Sequence, residues 1–511
     1  MLVQTMLIRM MLLGLLLAGT FSAASFAATA SILLSPKAGP PTSKTTATGS
    51  GFSSGETVTV TFDAAASGSA TADGSGNFTL DLTVAKSAQP GTHNVQATGL
   101  ASGLAASTTF LVQTNWPSFK NSAARTSVNA FENTITTSNA TRLSLAWQGS
   151  MGDLVDFSSP AVVNGVVYVG SFDGKLYAFN ANGCCAQDIC QPLWSGATGN
   201  DITSSPAVAN GVVYIGSADH KLYAFPAKGC GKSTCRPLWT GSTGSGILES
   251  SPLVVNGVVY IGSFDKKFYA FAASGCGSST CNPLWTATTG GQITSSPAFA
   301  AGVVYVGSQD GKLYAFNASG CGASTCSPLW TAQAGSSIVE SGPAVSNGIV
   351  YVGSFDKDLY AFNAAGCGQS TCQPLWTGTT GPFVSSSPAV ANGIVYVGDG
   401  DSLFYAFRAA GCGSATCSPV WTGQAIGEQA AITSAPAVAD GLVYVSENNG
   451  MVMVCNANGC GTSFCFPITQ LLTLNEQIVS SSPAVVNGSV YVGSANQNEA
   501  PIGRLYVYKL R

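Results

Sequence analysis

From Ser158 to the C-terminus, apolar and polar positions recur with a period of 45 to 48 residues, marked by Pro160, Pro206, Pro252, Pro297, Pro343, Pro388, Pro436 and Pro483. Each period predicts four short strands. The innermost follows Ser-Pro, the second is Val-Val-Tyr-Val-Gly or close to it, the third is Leu-Tyr-Ala-Phe, and the outermost is Pro-Leu-Trp. Asn-Gly separates the first two, and an Asp-Gly-Lys-like turn separates the second from the third. One four-stranded sheet cannot bury both of its faces without a similar sheet on each side, so the pattern predicts an all-β fold, an eight-bladed β-propeller.

The eighth repeat ends after Leu505-Tyr506-Val507-Tyr508 and has no outer strand of its own. Residues 143–148, ending in Ala146-Trp147-Gln148, match the outer strands that carry Trp194, Trp239, Trp285, Trp330, Trp376 and Trp421. They are expected to complete the last sheet and so remove its open edge. The propeller therefore spans residues 143–511. Upstream, residues 31–113 alternate in short runs such as Val58, Val60 and Phe62, and predict a small β-sandwich. Residues 114–142 lack periodicity and read as a linker or lead-in lying against the propeller. Residues 1–28 read as a secretory signal, with Arg9 before the apolar run from Met10 to Ala18 and small residues for cleavage after Ala27 or Ala28.

Charged residues make up only 9% of the chain and the net charge is −4, without a basic patch or acidic run. This argues against nucleic-acid binding and electrostatic membrane binding. An exported location, extracellular or periplasmic, also suits the sixteen cysteines. Six pairs share one spacing: Cys230 and Cys235, Cys276 and Cys281, Cys321 and Cys326, Cys367 and Cys372, Cys412 and Cys417, Cys460 and Cys465. A seventh joins Cys190 to Cys184 or Cys185, with Cys185 taken as the partner. Each lies in the loop between the third and outer strands, where a disulfide staples the hairpin; two thiols per loop with no adjacent His do not suit zinc. Cys455 replaces the Phe of its third strand and reads as a buried free thiol. No cysteine near the cleavage point suggests a lipid anchor, and a soluble monomer is expected.

The unit Val-Tyr-Val-Gly-Ser-Phe-Asp-Gly-Lys-Leu-Tyr-Ala-Phe-Asn-Ala with its following Leu-Trp is similar to the repeat of pyrroloquinoline-quinone (PQQ) type propellers. Asn115-Trp116-Pro117-Ser118-Phe119 with Ala124-Arg125-Thr126 resembles the segment that leads into such propellers. The resemblance implies eight blades and offers two activities: a PQQ- and calcium-dependent alcohol or sugar dehydrogenase, and an envelope protein-assembly factor. The dehydrogenase branch needs calcium ligands, a catalytic Asp and insertions roofing the quinone, and none of these is matched here. The adjacent Cys184-Cys185 resembles a feature of those enzymes but falls in a staple loop. Residues 31–113 resemble immunoglobulin-like modules of exported bacterial proteins.

Recurrent residues report packing, so specific chemistry is sought where repeats differ. Three residues before each marker proline stand Phe157, Thr203, Glu249, Thr294, Glu340, Ser385, Thr433 and Ser480. Glu249 and Glu340, with Asp156 beside Phe157, are the candidate ligands for a hard cation such as calcium. Asp173, Asp219, Asp265, Asp310 and Asp356, in the turns on the same face, are the candidate binding surface, although Asp in a tight turn also accepts backbone hydrogen bonds. The two histidines, His93 and His220, have no recognisable nucleophile and orienting acid. The leading expectation is a secreted, non-catalytic scaffold that binds an extracellular protein or glycan and needs no cofactor.

Overall fold

The computed structural model describes residues 29–184, 188–424, 430–473, 481–496 and 502–511. The signal region, Cys185, Ser480 and residues 497–501 of the last lengthened turn lie outside the described residues. The chain divides into two compact units, with Lys44–Thr83 and His93–Phe110 in the first and Leu111–Arg511 in the second.

The first unit holds two sheets. Ser31–Ser35, Lys44–Ser50 and Phe78–Thr83 form one, and Thr57–Phe62, Ala65–Thr71, Gly91–Gly99 and Ala105–Val112 belong to the other. Alternation decides which face is buried: Ile32, Leu34, Ala47, Val58, Val60, Phe78 and Leu82 are inside, while most of their neighbours, such as Ser31, Ser35, Thr57 and Thr59, carry hydroxyls outward and Leu33 is exposed. His93 stacks on Phe62 and pairs with Asp63, which makes it part of this unit's packing.

In the second unit each repeat forms one antiparallel sheet. The first runs Ala161–Val163, Val166–Ser171, Lys175–Asn180 and Trp194–Ala197, in that spatial order. Its second strand is buried on both faces, as a continuous apolar run requires. Tyr168, Leu176, Ala178, Trp194 and Ile202 on one face pack with Val213, Ile215, Tyr223 and Phe225 of the next sheet. The strand containing Trp147, Leu143–Ser150, runs antiparallel along Ile502–Leu510, with Trp147 opposite Val507. The last sheet is thereby completed, and Tyr491 donates from it to the Ala181 carbonyl beyond the first sheet's third strand at 3.3 Å.

Seven disulfides form among the described residues, six at the spacing read from the sequence. The seventh corrects the reading above: Cys184, not Cys185, bonds to Cys190. Register explains it. Cys184 stands five residues after Phe179, as Cys230 does after Phe225, and follows a left-handed glycine in both loops, so the extra residue falls after the first cysteine. The staples also do more than close their own hairpins. Thr234–Cys235 adds a short parallel strand to the outer edge of the preceding sheet, with Cys235 opposite Gly196. In the same loop Gly229 lies so close to the Trp194 indole of that sheet that a Cβ would come within 2.6 Å. Each staple thus braces the loop that grips its neighbour, and Trp-on-Gly contacts of this kind recur around the unit.

The Asn-Gly turns are left-handed at both residues, which matches the twist of a two-residue hairpin. The fourth repeat places Ala301 there instead, at φ 48°. Ala301→Asn is expected to stabilise the protein by about 0.5–1 kcal/mol, since Asn tolerates this region better than Ala; an unchanged or lower melting temperature would show that the turn is not strained. Replacing Cys276 and Cys281 together by Ser should cost about 2 kcal/mol. Amide exchange should then quicken at Thr240 and Gly241 of the preceding sheet as well as in the stapled hairpin, and protection retained at those two residues would refute the bracing role.

Candidate functional site

The innermost strands surround the axis of the second unit, and residues 115–129 run across one end of it. Trp116 and Val162 exchange backbone hydrogen bonds of 2.7 and 2.8 Å. The equivalent N–H groups of Val208, Phe299, Val345, Val390 and Val438 donate to the carbonyls of Pro117, Ala123, Ala124, Thr126 and Ser127, all within 2.9 Å. The lead-in is therefore a plug bonded to successive inner strands. It carries two basic side chains inside, and among the described residues no carboxylate pairs with either. Arg125 is fully buried and donates to the carbonyls of Pro297 at 2.9 Å, Pro252 at 2.8 Å, Ser251 and Phe119, with its guanidinium over the Phe119 ring. Burial lowers its pKa to about 9. The Lys120 amine, equally enclosed, donates to the Gly342 carbonyl at 3.1 Å, and burial holds its pKa well below the usual lysine range. Carbonyl dipoles solvate both charges where water cannot.

Beyond the plug, Phe119 floors an axial chamber of about 30 Å³ whose walls include Phe157, Glu249, Glu340, Ser385 and Thr433. Two of the three predicted acids line it directly. The mechanism that aims them is local. In the second repeat Ile202 anchors over Gly170 and one residue, Thr203, separates it from Ser204. In the first, third and fifth repeats two residues fill that space: Asp156-Phe157 after Val155, Leu248-Glu249 after Ile247, Val339-Glu340 after Ile338. The added residue is taken up in a γ-turn. Ser158, Ser250 and Ser341 donate to the carbonyls of Asp156, Leu248 and Val339 at 2.6–2.7 Å, and the central residues Phe157, Glu249 and Glu340 have φ of 61°, 66° and 62°. In the third and fifth repeats the turned backbone is held from the side, since Glu249 N–H donates to Thr203 and Glu340 N–H to Thr294.

Burial and proximity shift all three carboxyls the same way. Burial, then the nearby Glu340, pushes Asp156 up to about 7. Glu249 is raised by burial and by Glu340 and Asp156, and burial raises Glu340. Asp156 Oδ1 and Glu249 Oε2 are enclosed without a hydrogen-bond partner, as is the Ser385 hydroxyl. Among the described residues no three acid, imidazole or thiol side chains gather into one cluster; Asp156, Glu249 and Glu340 act on one another electrostatically.

The turn aspartates are committed elsewhere. Asp173, Asp219, Asp265, Asp310 and Asp356 each accept a hydrogen bond from the tyrosine four residues on: Tyr177, Tyr223, Tyr269, Tyr314 and Tyr360. Asp265 and Asp310 also accept from the backbone of Gly244 and Gly290 at 3.0 Å. They tie turns together, the structural role that Asp takes in a tight turn. His220, at φ 70°, occupies a turn position that glycine fills in sibling repeats. Cys455 is buried and free, and burial pushes its thiol up to about 12.

Sequence reasoning found Glu249, Glu340 and Asp156 by their departure from the repeat, but missed the γ-turns and the plug. The turns had a signal, the one-residue lengthening between the anchoring Ile or Val and Ser. Lys120 and Arg125 had none, because a basic residue in an aperiodic segment ordinarily marks exposed chain.

No curated protein matches the chain. Among solved structures, a computationally designed protein, Ika8, superposes with a TM-score of 0.53 at 16% identity, covering 70% of this chain and 98% of its own. BamB from Moraxella catarrhalis gives 0.52 at 18% identity, over 72% and 98% of the two chains. Quinohemoprotein alcohol dehydrogenase from Comamonas testosteroni gives 0.59 at 13% identity, over 78% and 80%. These likenesses identify a shared β-propeller fold. Residues 111–274, 189–317 and 278–510 match the PQQ-repeat family described as outer membrane protein assembly factor BamB, and the chain belongs to that family.

Proposed function

We propose that this chain is an exported, non-catalytic, eight-bladed propeller that binds a protein or a glycan with the face bearing the axial chamber, and that the first unit is an immunoglobulin-like spacer. The observation that carries the reading is the closed axis. The plug fills one end, and the chamber left at the other has the volume of about one water molecule. A tricyclic quinone bearing three carboxylates does not fit that space as the described residues form it, and it would bring its charges against Asp156, Glu249 and Glu340. The family's description as an assembly factor supports a protein partner in the cell envelope. The disulfides support an oxidising compartment, and no helix among the described residues is long and apolar enough to cross a membrane.

Immobilised full-length chain is expected to retain ligands from a panel of envelope proteins and glycans, and Phe157→Ala to weaken retention several-fold; no binding to any class would remove the proposal. Adding PQQ with calcium is expected to leave the melting temperature and dye reduction unchanged. A rise in both would replace the scaffold by the dehydrogenase.

The raised carboxyls also set a pH dependence. A carboxyl whose folded pKa lies above its unfolded value binds more protons when folded, so it lowers stability as pH climbs from about 4.5 through its folded pKa. Without added ligands, the melting temperature is expected to fall between pH 5 and pH 9, and Glu249→Gln should flatten that fall. An unaltered slope in the variant would show that Glu249 ionises normally.

A further inference from the structure

We propose that the axial chamber is a receptor for a primary ammonium group, gripped by Glu249, Glu340 and the Ser385 hydroxyl, with Phe157 beside the alkyl stem. The proposal rests on the chamber-bearing face being the recognition face, but not on the class of the partner. Three observations carry it.

The first is unmet hydrogen-bonding capacity. Ser385 is only 3% exposed, lines the chamber, and its hydroxyl has no partner. Glu249 Oε2 lacks one as well. Buried polar groups are ordinarily satisfied, so unpaired acceptors around one small space point to a donor-rich ligand. An ammonium head offers three N–H donors.

The second is charge. Glu249 and Glu340 share the chamber, and Asp156 lies within electrostatic reach of both. Among the described residues none of the three has a salt-bridge partner. The nearest buried cations, Arg125 and Lys120, are committed to backbone carbonyls within the plug.

The third is size and shape. About 30 Å³ admits one water-sized group, which an ammonium head matches and a quaternary ammonium exceeds. Among the described residues no three acid, imidazole or thiol side chains converge, so the calcium arm of the test below separates a hard cation from an ammonium. Phe157 lines the same chamber as the carboxylates and gives a methylene stem an apolar neighbour. The ammonium can be that of a free amine or of a lysine side chain on a partner; the chemistry at the chamber is the same.

The test uses the full chain and ethylammonium chloride, with tetramethylammonium, potassium and calcium chlorides at matched ionic strength and pH 8.5. Ethylammonium at a hundredfold excess over its Kd should raise the melting temperature by about 3 °C. The three other salts should not. Ser385→Ala should weaken ethylammonium binding about fivefold and Glu249→Gln at least tenfold. Binding in the wild type should weaken at least tenfold between pH 8.5 and pH 6, because protonation removes the acceptors' charge while the amine stays cationic. An equal response to potassium, a larger one to calcium, or full affinity in Ser385→Ala would overturn the proposal. Should Glu249→Gln fail to fold, Ser385→Ala and the pH series still decide. To separate the sources, a lysine-rich peptide and its acetylated form are compared. Binding of the first alone assigns a protein lysine, and binding of ethylammonium alone assigns a free amine. A failed partner screen beside positive ethylammonium binding would sink the scaffold reading while leaving this one standing.

Discussion

The propeller depends on one small polar interaction, repeated around the axis: the serine two places before the marker proline. Its hydroxyl accepts the glycine N–H at the far end of its own sheet's second strand, as Ser250 does from Gly262 and Ser481 does from Gly493. In several repeats the same hydroxyl donates to the next sheet's serine carbonyl, through Ser250 to Ser295, Ser295 to Ser341 and Ser341 to Ser386. Ser481 carries the relay back to Ser158. One buried hydroxyl therefore fixes both the curl of its own sheet and the distance to its neighbour. An apolar side chain there would leave a buried N–H and a buried carbonyl unpaired, a penalty of about 1–3 kcal/mol each. The aromatic cores between sheets supply most of the apolar burial, but they are forgiving in rotation; the serine relay is not.

A second relay makes the plug intelligible. Where a serine directly precedes the marker proline, it accepts an N–H from the sheet before it: Ser205 from Ser159, Ser251 from Ser205, Ser482 from Ala435, and Ser159 from Ser482. The fifth repeat has Gly342 here, and its carbonyl is where the Lys120 amine is bound. The axis is thus lined by polar backbone on the plug side, which suits buried cations, and by carboxyls on the other. Phe119 lies between the two, as floor of the chamber and as the ring beneath Arg125.

Strand identity was legible in the chain because each repeat states it with the same residues, and the pairing of Leu143–Ser150 with the last strand followed from Trp147 together with the eighth repeat's missing outer strand. Turn chemistry was legible for the same reason. The lead-in was not, because its structure comes from bonds to six different inner strands and from no period of its own, with Lys120, Asn121, Arg125 and Ser127 all at positive φ. The Cys184 pairing needed only a count from the third strand, which two adjacent cysteines obscure. The aspartates of the turns illustrate the opposite risk: an acid that recurs in five sheets attracts a functional reading, yet in each the tyrosine four residues on donates to it.

The three γ-turns are the part of the site that the fold does not require. A left-handed γ-turn at a non-glycine residue costs of order 1–3 kcal/mol, and each carboxyl beside one loses hydration on burial. The chain contains its own control, because the second, fourth and sixth repeats make the same step from anchoring residue to serine with one residue fewer and without a left-handed residue there. Their sheets keep the same strand order and hold the same serine relay. Closure therefore does not demand the longer form. What the longer form achieves is placement: it puts Phe157, Glu249 and Glu340 at the chamber wall, whereas of the shorter-form residues Thr203, Thr294 and Ser385 only Ser385 lines it. Strain and desolvation at the first, third and fifth repeats, around one cavity, with unstrained steps at the second, fourth and sixth, are costs that closing the sheets does not require.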